Sequence, residues 1–267
     1  MSLVRLYRRT ELFPVRMVDG RVLHLDLSET MSMPYLLTGE IWGERGETEL
    51  LRSVVRPGET ALDIGANVGW YTTLLAELVG PQGRIYAFEP GFKAYRMLEA
   101  SARAYAQVTP IRLALGQCEG EADLFVPRDA AMASLRPSSL ASIPERCRVT
   151  TLDQWLGLAA AAGPTLVKCD AEGAELSILQ GARALLGGER PPMWVVELAA
   201  AAAHRFGYEA ERIFTLFQEF PRAGYQAFRI NSSTERLEKP PIPVTFRYDA
   251  VFVPSWLRPR ISGLLPG

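Results

Sequence analysis

Residues able to do chemistry fall in four short stretches of this chain. The first is Asp63-Ile64-Gly65-Ala66-Asn67-Val68-Gly69. The second is Glu89, which closes the short, mostly apolar run Arg84 to Phe88. The third holds Lys168, Asp170, Glu172 and Glu175, and the fourth is Glu197 within Met193 to Leu198. Paired glycines allow a tight turn whose backbone N–H groups reach a ligand. Carboxylates at strand ends accept hydrogen bonds from hydroxyls, and one facing a reacting hydroxyl assists its deprotonation. Lys168 is one of only three lysines among 29 basic residues. A lysine on a buried strand needs an anionic partner, and Asp170 or Glu197 is the expected one.

The elements around these residues follow from apolar spacing. Ala61 to Ile64, bounded by Pro57-Gly58, reads as a buried strand. After Gly69 the period turns helical through Tyr71, Leu74, Leu75 and Leu78. A strand, a glycine turn and a helix result. A dinucleotide fingerprint reads G-x-G-x-x-G and cradles a pyrophosphate. Here the pattern is D-x-G-x-N-x-G, with an acidic strand end that suits an ammonium group. S-adenosylmethionine has such an amino-acid end, together with a ribose and an adenine. Glu89 lies 24 positions after Gly65, the place for a carboxylate that accepts both ribose hydroxyls.

Strands and helices then alternate. Strand 59–65 precedes helix 69–79, and strand 83–89 precedes helix 91–104. A third strand over 108–116 ends at Leu115-Gly116. Glu121 to Val126 suggests a short extra strand, and 127–147, with three prolines and four serines, an irregular functional or mobile loop. Helix 152–162, strand 165–170, helix 175–186, strand 193–198 and helix 208–220 follow. Tyr225 to Ile230 and Tyr248 to Val253 read as a final antiparallel pair. Upstream, residues 14–28 form a hairpin through Asp19-Gly20, and 29–46, with Met31, Met33, Tyr35, Leu36 and Trp42, cap the core or the pocket mouth. Glu47 to Val55 reads as a helix.

Composition sets wider bounds. The 267 residues are 48% hydrophobic and 22% charged, with net charge −1, which gives no reason to expect nucleic acid or a membrane surface as partner. Three cysteines without a C-x-x-C argue against a disulfide framework or zinc site and fit a reducing, cytoplasmic setting. Arginines interrupt Met1 to Thr10, so no signal peptide is expected. No apolar run approaches a membrane span.

The stretches DIGANVGWYTTLLA, IYAFEP, TTLDQWL, VKCDAEGAELSILQGA and WVVEL resemble, in order, the FkbM family of S-adenosylmethionine-dependent methyltransferases. The resemblance runs from about residue 44 to residue 254. It implies a class I, Rossmann-like α/β fold: a doubly wound, mostly parallel seven-stranded sheet with an antiparallel final pair. It also implies methyl transfer, usually to a hydroxyl of a sugar or polyketide-type product. One departure is that Glu99 to Tyr105 lacks the Asn that members often carry there.

The expected organisation is an N-terminal hairpin and cap, 1–46, on a methyltransferase domain, 47–267. The candidate cofactor contacts are Asp63, Gly65, Asn67, Gly69, Tyr71, Glu89 and Leu115. The candidate catalytic residues are Asp170, Lys168 and Glu197. A carboxylate at the fourth strand end would accept the hydroxyl proton of a small-molecule substrate. A divalent cation on Asp170, Glu172 and Glu197 is an alternative way to bind that oxygen. His204 is a solvated helix residue or overhangs the pocket as a base. A nicotinamide-dependent oxidoreductase and a non-catalytic cofactor-binding module are the competing classes. The acceptor and the oligomeric state are not written in these residues.

Overall fold

The computed structural model describes residues 11–29, 32–39, 45–127, 134–136, 142–159, 163–231 and 233–265. The expectations placed on Met1 to Thr10, Met31, Trp42, 128–133, 137–141, 160–162 and Ser232 lie outside them.

Asp19-Gly20 turns the chain, with Gly20 at φ +91°, between β1 (Phe13–Arg16) and β2 (Val22–Leu25), which pair antiparallel. Two helices follow, α1 (Ser32–Thr38) and α2 (Arg45–Val54). Then come β3 (Thr60–Ile64), α3 (Trp70–Val79), β4 (Arg84–Phe88), α4 (Phe92–Ala102) and β5 (Val108–Ile111). Next are β6 (Ala114–Leu115), β7 (Gly120–Pro127), β8 (Ser142–Thr150), α5 (Leu152–Ala159) and β9 (Leu166–Cys169). The chain continues through α6 (Glu175–Gln180), α7 (Arg183–Gly187), β10 (Met193–Leu198), α8 (Ala200–Arg205) and α9 (Arg212–Gln218). It ends with β11 (Gln226–Asn231), β12 (Arg236–Glu238), β13 (Tyr248–Val253) and a 3-10 helix, Ser255–Leu264.

The main sheet has eight strands in the order β12-β11-β13-β10-β9-β3-β4-β5. β5, β4, β3, β9 and β10 run parallel, while β13 is antiparallel to both β10 and β11. Every residue of β3, β9 and β10 is buried, as in a sheet covered on both faces. The pleat sends alternate residues to opposite cores. Met193 and Val195 join Leu50, Leu74, Leu75 and Leu257 on one face. Trp194 and Val196 join Ile178, Leu186, Phe214 and Phe217 on the other. Leu23 and Leu25 of β2 share the first core, and β2 is tied to α4 by the His24 N–H, which donates to Ser101 Oγ at 2.9 Å.

Four expectations change. The sheet has eight strands, not seven. The added edge strand, β12, is held by a hydrogen bond from Asn231 Nδ2 to Glu238 at 2.6 Å and by an Arg229–Glu238 ion pair at 2.8 Å, side-chain pairings with no local pattern. The third strand stops at Ile111, where the Leu113 N–H donates to the Ile111 carbonyl at 3.1 Å and turns the chain. Ala114-Leu115 then pair with β8 in a separate three-stranded sheet, β6-β8-β7.

The expected loop over 127–147 instead contributes β8, antiparallel to β7 from Gly120↔Val149 to Pro127↔Ser142. Arg146, Cys147 and Arg148 alternate exposed, buried, exposed, but the prolines and serines before them hide the strand. Finally, the helix 175–186 is broken at Gly181, where a β-carbon would lie 2.0 Å from the Gly116 carbonyl oxygen. Asp153 restarts it by accepting from the N–H groups of Ala184 at 2.7 Å and Leu185 at 3.0 Å.

Candidate functional site

The glycine turn follows β3 directly. The N–H groups of Gly65 and Ala66 both donate to the Phe88 carbonyl, at 3.0 and 2.9 Å, which bends the turn over the end of β4. Gly65 has φ +79° and Asn67 φ +49°, left-handed conformations that glycine and asparagine tolerate best. A β-carbon on Gly65 would meet the Asp170 carbonyl oxygen at 1.7 Å. The turn is thus pressed against the end of β9.

Glu89 stands at the end of β4 and is 6% exposed. Its Oε2 accepts from the Asn67 N–H at 3.0 Å and its Oε1 from the Gly91 N–H at 2.8 Å. Burial raises its carboxyl to about 7, against the opposing pull of those two bonds. Each oxygen keeps a lone pair for a further donor. Asp63 is fully buried and accepts from Thr72 Oγ1 at 2.5 Å. Burial raises its pKa too, with Lys168, its register partner on β9, opposing.

Lys168 is buried beside three groups. Its Nζ lies 3.4 Å from Asp170, 3.7 Å from Glu47 and 4.5 Å from the centre of the Tyr71 ring. The Tyr71 hydroxyl donates to Glu47 at 2.6 Å. Of the two expected partners, Asp170 is there and Glu197 is not; Glu47, from α2, takes the second place. Beyond Asp170 the chain turns sharply, with Glu172 at φ +52° and Gly173 at φ +108°. Glu175 holds this turn by accepting from the N–H groups of Ala171 and Gly173, at 2.8 and 3.1 Å. Tyr208 donates to the Gly173 carbonyl at 3.1 Å. Glu172 is pushed up to about 7, first by burial and then by Asp170.

These groups open onto one cavity of about 310 Å³ at the C-terminal ends of the parallel strands. Asp63, Gly65, Asn67, Tyr71, Glu89, Leu115, Lys168 and Asp170 line it. Gly69 and Glu197 do not. Gly69, at φ +94°, leaves room for α4: a β-carbon there would sit 3.2 Å from Leu98. Glu197 is buried behind the wall, in contact with Arg247 and opposite Asp249 in the β10–β13 register. Burial and Asp170 push its carboxyl upward, while Arg247 pulls the other way. Arg247 is the residue of that pair that reaches the cavity.

Several contributors to the cavity carry no local signal in the sequence. Arg247 carries no spacing signal, and Glu47 reads as an ordinary first-turn acid of α2. Leu124 and Leu135 come from β7 and the neighbouring 134–136 segment, and with Leu113 they give the cavity an apolar side. Tyr35, expected in the cap, lines the cavity and packs on Trp70 at 5.8 Å between ring centres. His204 is exposed, 3.0 Å from Glu209 and outside the cavity. Asp170, Glu175 and Glu197 each offer an oxygen within 4.8 Å of the others, but loop amides occupy Glu175 and Arg247 occupies Glu197.

The strand order, the glycine turn and the acidic end of β4 together define a class I S-adenosylmethionine-dependent methyltransferase. The residues fit that cofactor: Glu89 keeps lone pairs for further donors beside apolar walls, and Asn67 Oδ1 is buried without a hydrogen-bond partner among the described residues. Residues 63–227 match the family described as the methyltransferase FkbM domain, and the chain belongs to that family. S-adenosylmethionine is its cofactor.

Among curated relatives, the hexuronic acid methyltransferase AglP of Haloferax volcanii is 28% identical over 149 residues, covering 53% of this chain and 60% of that protein. The protein-L-isoaspartate O-methyltransferase of Aeropyrum pernix is 33% identical over 99 residues, 36% of each chain. The matches thus span less than two thirds of either relative. Among solved structures, the fibrillarin/Nop5p complex gives a TM-score of 0.49 at 14% identity, covering 92% of this chain and 98% of that one. A methyltransferase of Aquifex aeolicus gives 0.43 at 13% identity, covering 78% and 88%. Among the described residues, no helix is long and apolar enough to cross a membrane.

Proposed function

We propose that this protein transfers a methyl group from S-adenosylmethionine to a hydroxyl oxygen of a small molecule, a sugar, glycoside or polyketide-type product. The observation that carries this reading is the Asp170 carboxylate, paired with Lys168 at 3.4 Å on the wall of the cavity that the glycine turn and Glu89 also line. The name of the Haloferax volcanii relative, a hexuronic acid methyltransferase, supports a carbohydrate acceptor.

In this reading Glu89 accepts hydrogen bonds from the two ribose hydroxyls. Leu113, Leu115, Leu124 and Leu135 flank the adenine, while Asp63, Asn67 and the Gly65 turn receive the amino-acid end. Tyr71, on the cavity wall, steadies Lys168 through its ring and through its bond to Glu47. The cofactor supplies a sulfonium-activated methyl group and its own leaving group. What remains for the protein is to hold the acceptor oxygen in line, exclude water and take up a proton. Asp170 accepts that proton as the oxygen attacks, an effect worth about 10²–10⁴ in rate. Lys168 holds Asp170 in place from 3.4 Å. Glu197 positions Arg247, which faces the acceptor. Tyr35 of α1 closes one side of the cavity.

The test is a screen of hexosides, hexuronic acids and macrolides with a labelled methyl donor. Label transferred to a hydroxyl, with release of S-adenosylhomocysteine, supports the reading. Cofactor binding without transfer to any acceptor would leave a binding module instead.

A further inference from the structure

Of the two carboxylates that the turn after β9 brings to the cavity, Asp170 is engaged by Lys168. Glu172 is not: among the described residues its side chain has no hydrogen-bond or ion-pair partner within contact distance, and it lines the same cavity. Its backbone, by contrast, is held from several sides. The Glu172 carbonyl accepts from Ser134 Oγ at 3.2 Å. Glu175 binds the amides on either side of it, and Tyr208 binds the next carbonyl. Gly173 is packed so that a β-carbon would lie 2.6 Å from Phe206 and 2.8 Å from the Ala202 oxygen. Glu172 itself sits at φ +52°, a conformation with a cost for a non-glycine residue. The fold thus keeps this turn in a costly shape that presents one carboxylate to a cavity, with no hydrogen-bond or ion-pair partner in contact among the described residues and Arg247 and Arg205 acting on it only from a distance.

We propose that Glu172 is a specificity residue for the acceptor, its carboxylate taking a hydrogen bond from a second hydroxyl beside the one that Asp170 faces. The substrate class is then a polyol with neighbouring hydroxyls, and a lone alcohol is a poor substrate. This rests on the O-methyl transfer reading above. The chemistry favours hydroxyls over an anion: burial and then Asp170 raise the Glu172 carboxyl, and Glu197 already engages the nearby Arg247, so a second negative group would meet repulsion from Asp170. A carboxylate bonded to a hydroxyl is a charge-assisted pair, whose loss weakens binding by about tenfold or more.

The experiment compares wild type with Glu172→Gln and Glu172→Ala. Two measurements are made with a methyl hexopyranoside and its monodeoxy counterpart as probes: calorimetric binding to the protein loaded with S-adenosylhomocysteine, and methyl transfer. Unchanged S-adenosylhomocysteine affinity certifies the fold of each variant. The expected result is that wild type binds the diol probe and that Glu172→Ala weakens it about tenfold or more. Glu172→Gln should fall between, with KM raised and kcat little changed, and binding of the deoxy probe should not respond. Wild type that binds neither probe, or a diol affinity indifferent to both variants, overturns the proposal. So does a loss confined to kcat. Glu172-dependent binding without transfer would keep Glu172 as a polyol-binding residue while overturning the methyl-transfer reading. Transfer that ignores Glu172 would do the reverse.

Discussion

A β-carbon on Gly65 would lie 1.7 Å from the carbonyl oxygen of Asp170. The glycine is required because the turn after β3 packs against the end of β9, and the ligand's approach is not what the side chain would meet first. Gly65→Ala must push the two strand ends apart. We expect a stability loss of about 1–3 kcal/mol from overpacking, with further strain from the positive φ. Thermal denaturation and S-adenosylhomocysteine calorimetry measure it. A Gly65→Ala protein with unchanged Tm and affinity would refute the contact.

Glu89 makes binding and stability respond to pH in opposite directions. Its carboxyl is raised from 4.5 to about 7, chiefly by burial. The folded state therefore holds a proton that the unfolded state has released, and stability declines as pH climbs from about 4.5 through 7, by up to roughly 3 kcal/mol. The ionised form is the better hydrogen-bond acceptor for ribose, so cofactor affinity should rise over the same window. Calorimetry in two buffers of different ionisation enthalpy should detect proton release on binding near pH 6.5. Glu89→Gln should abolish that release and weaken binding by about 2–3 kcal/mol. Equal affinity in the folded variant would remove Glu89 from the site.

Asp170→Asn should leave S-adenosylhomocysteine affinity nearly intact and lower turnover at saturating cofactor by about 10²–10⁴. Lys168→Met should lower it less and reduce Tm, because Asp170 and the buried Glu47 both lose a cation. EDTA should leave wild-type turnover unchanged; inhibition reversed by magnesium would favour the cation alternative. Full activity in Asp170→Asn would leave positioning alone as the mechanism.

Tyr71→Phe removes a 2.6 Å hydrogen bond to buried Glu47 while keeping the ring under Lys168. A stability loss of about 1–3 kcal/mol follows, with cofactor affinity changed by less than about threefold, since the hydroxyl is spent on Glu47. A tenfold drop in S-adenosylhomocysteine affinity at unchanged Tm would make Tyr71 a direct contact.

Much of this site lies within short spans of chain, and there the sequence alone determined the outcome. Asp63 to Gly69 contains its own strand, turn and helix start, because apolar spacing and the glycines act over a few residues. Glu89 and Asp170 follow from where short apolar runs end. The family was equally legible, since its motifs are contiguous. What the tertiary structure alone decided are the pairings between distant segments. Glu47 reaches Lys168, Arg247 reaches Glu197, and Leu124 and Leu135 wall the cavity. Ala114-Leu115 leaves the main sheet for β8, and Asn231 with Arg229 draws β12 onto its edge. Gly69 and Glu197 sit in motifs that suggest the site, yet Gly69 packs against α4 and Glu197 is held by Arg247, so neither lines the cavity. Each of these outcomes depends on which side chains the completed sheet brings within a few ångströms, and no local periodicity encodes that distance.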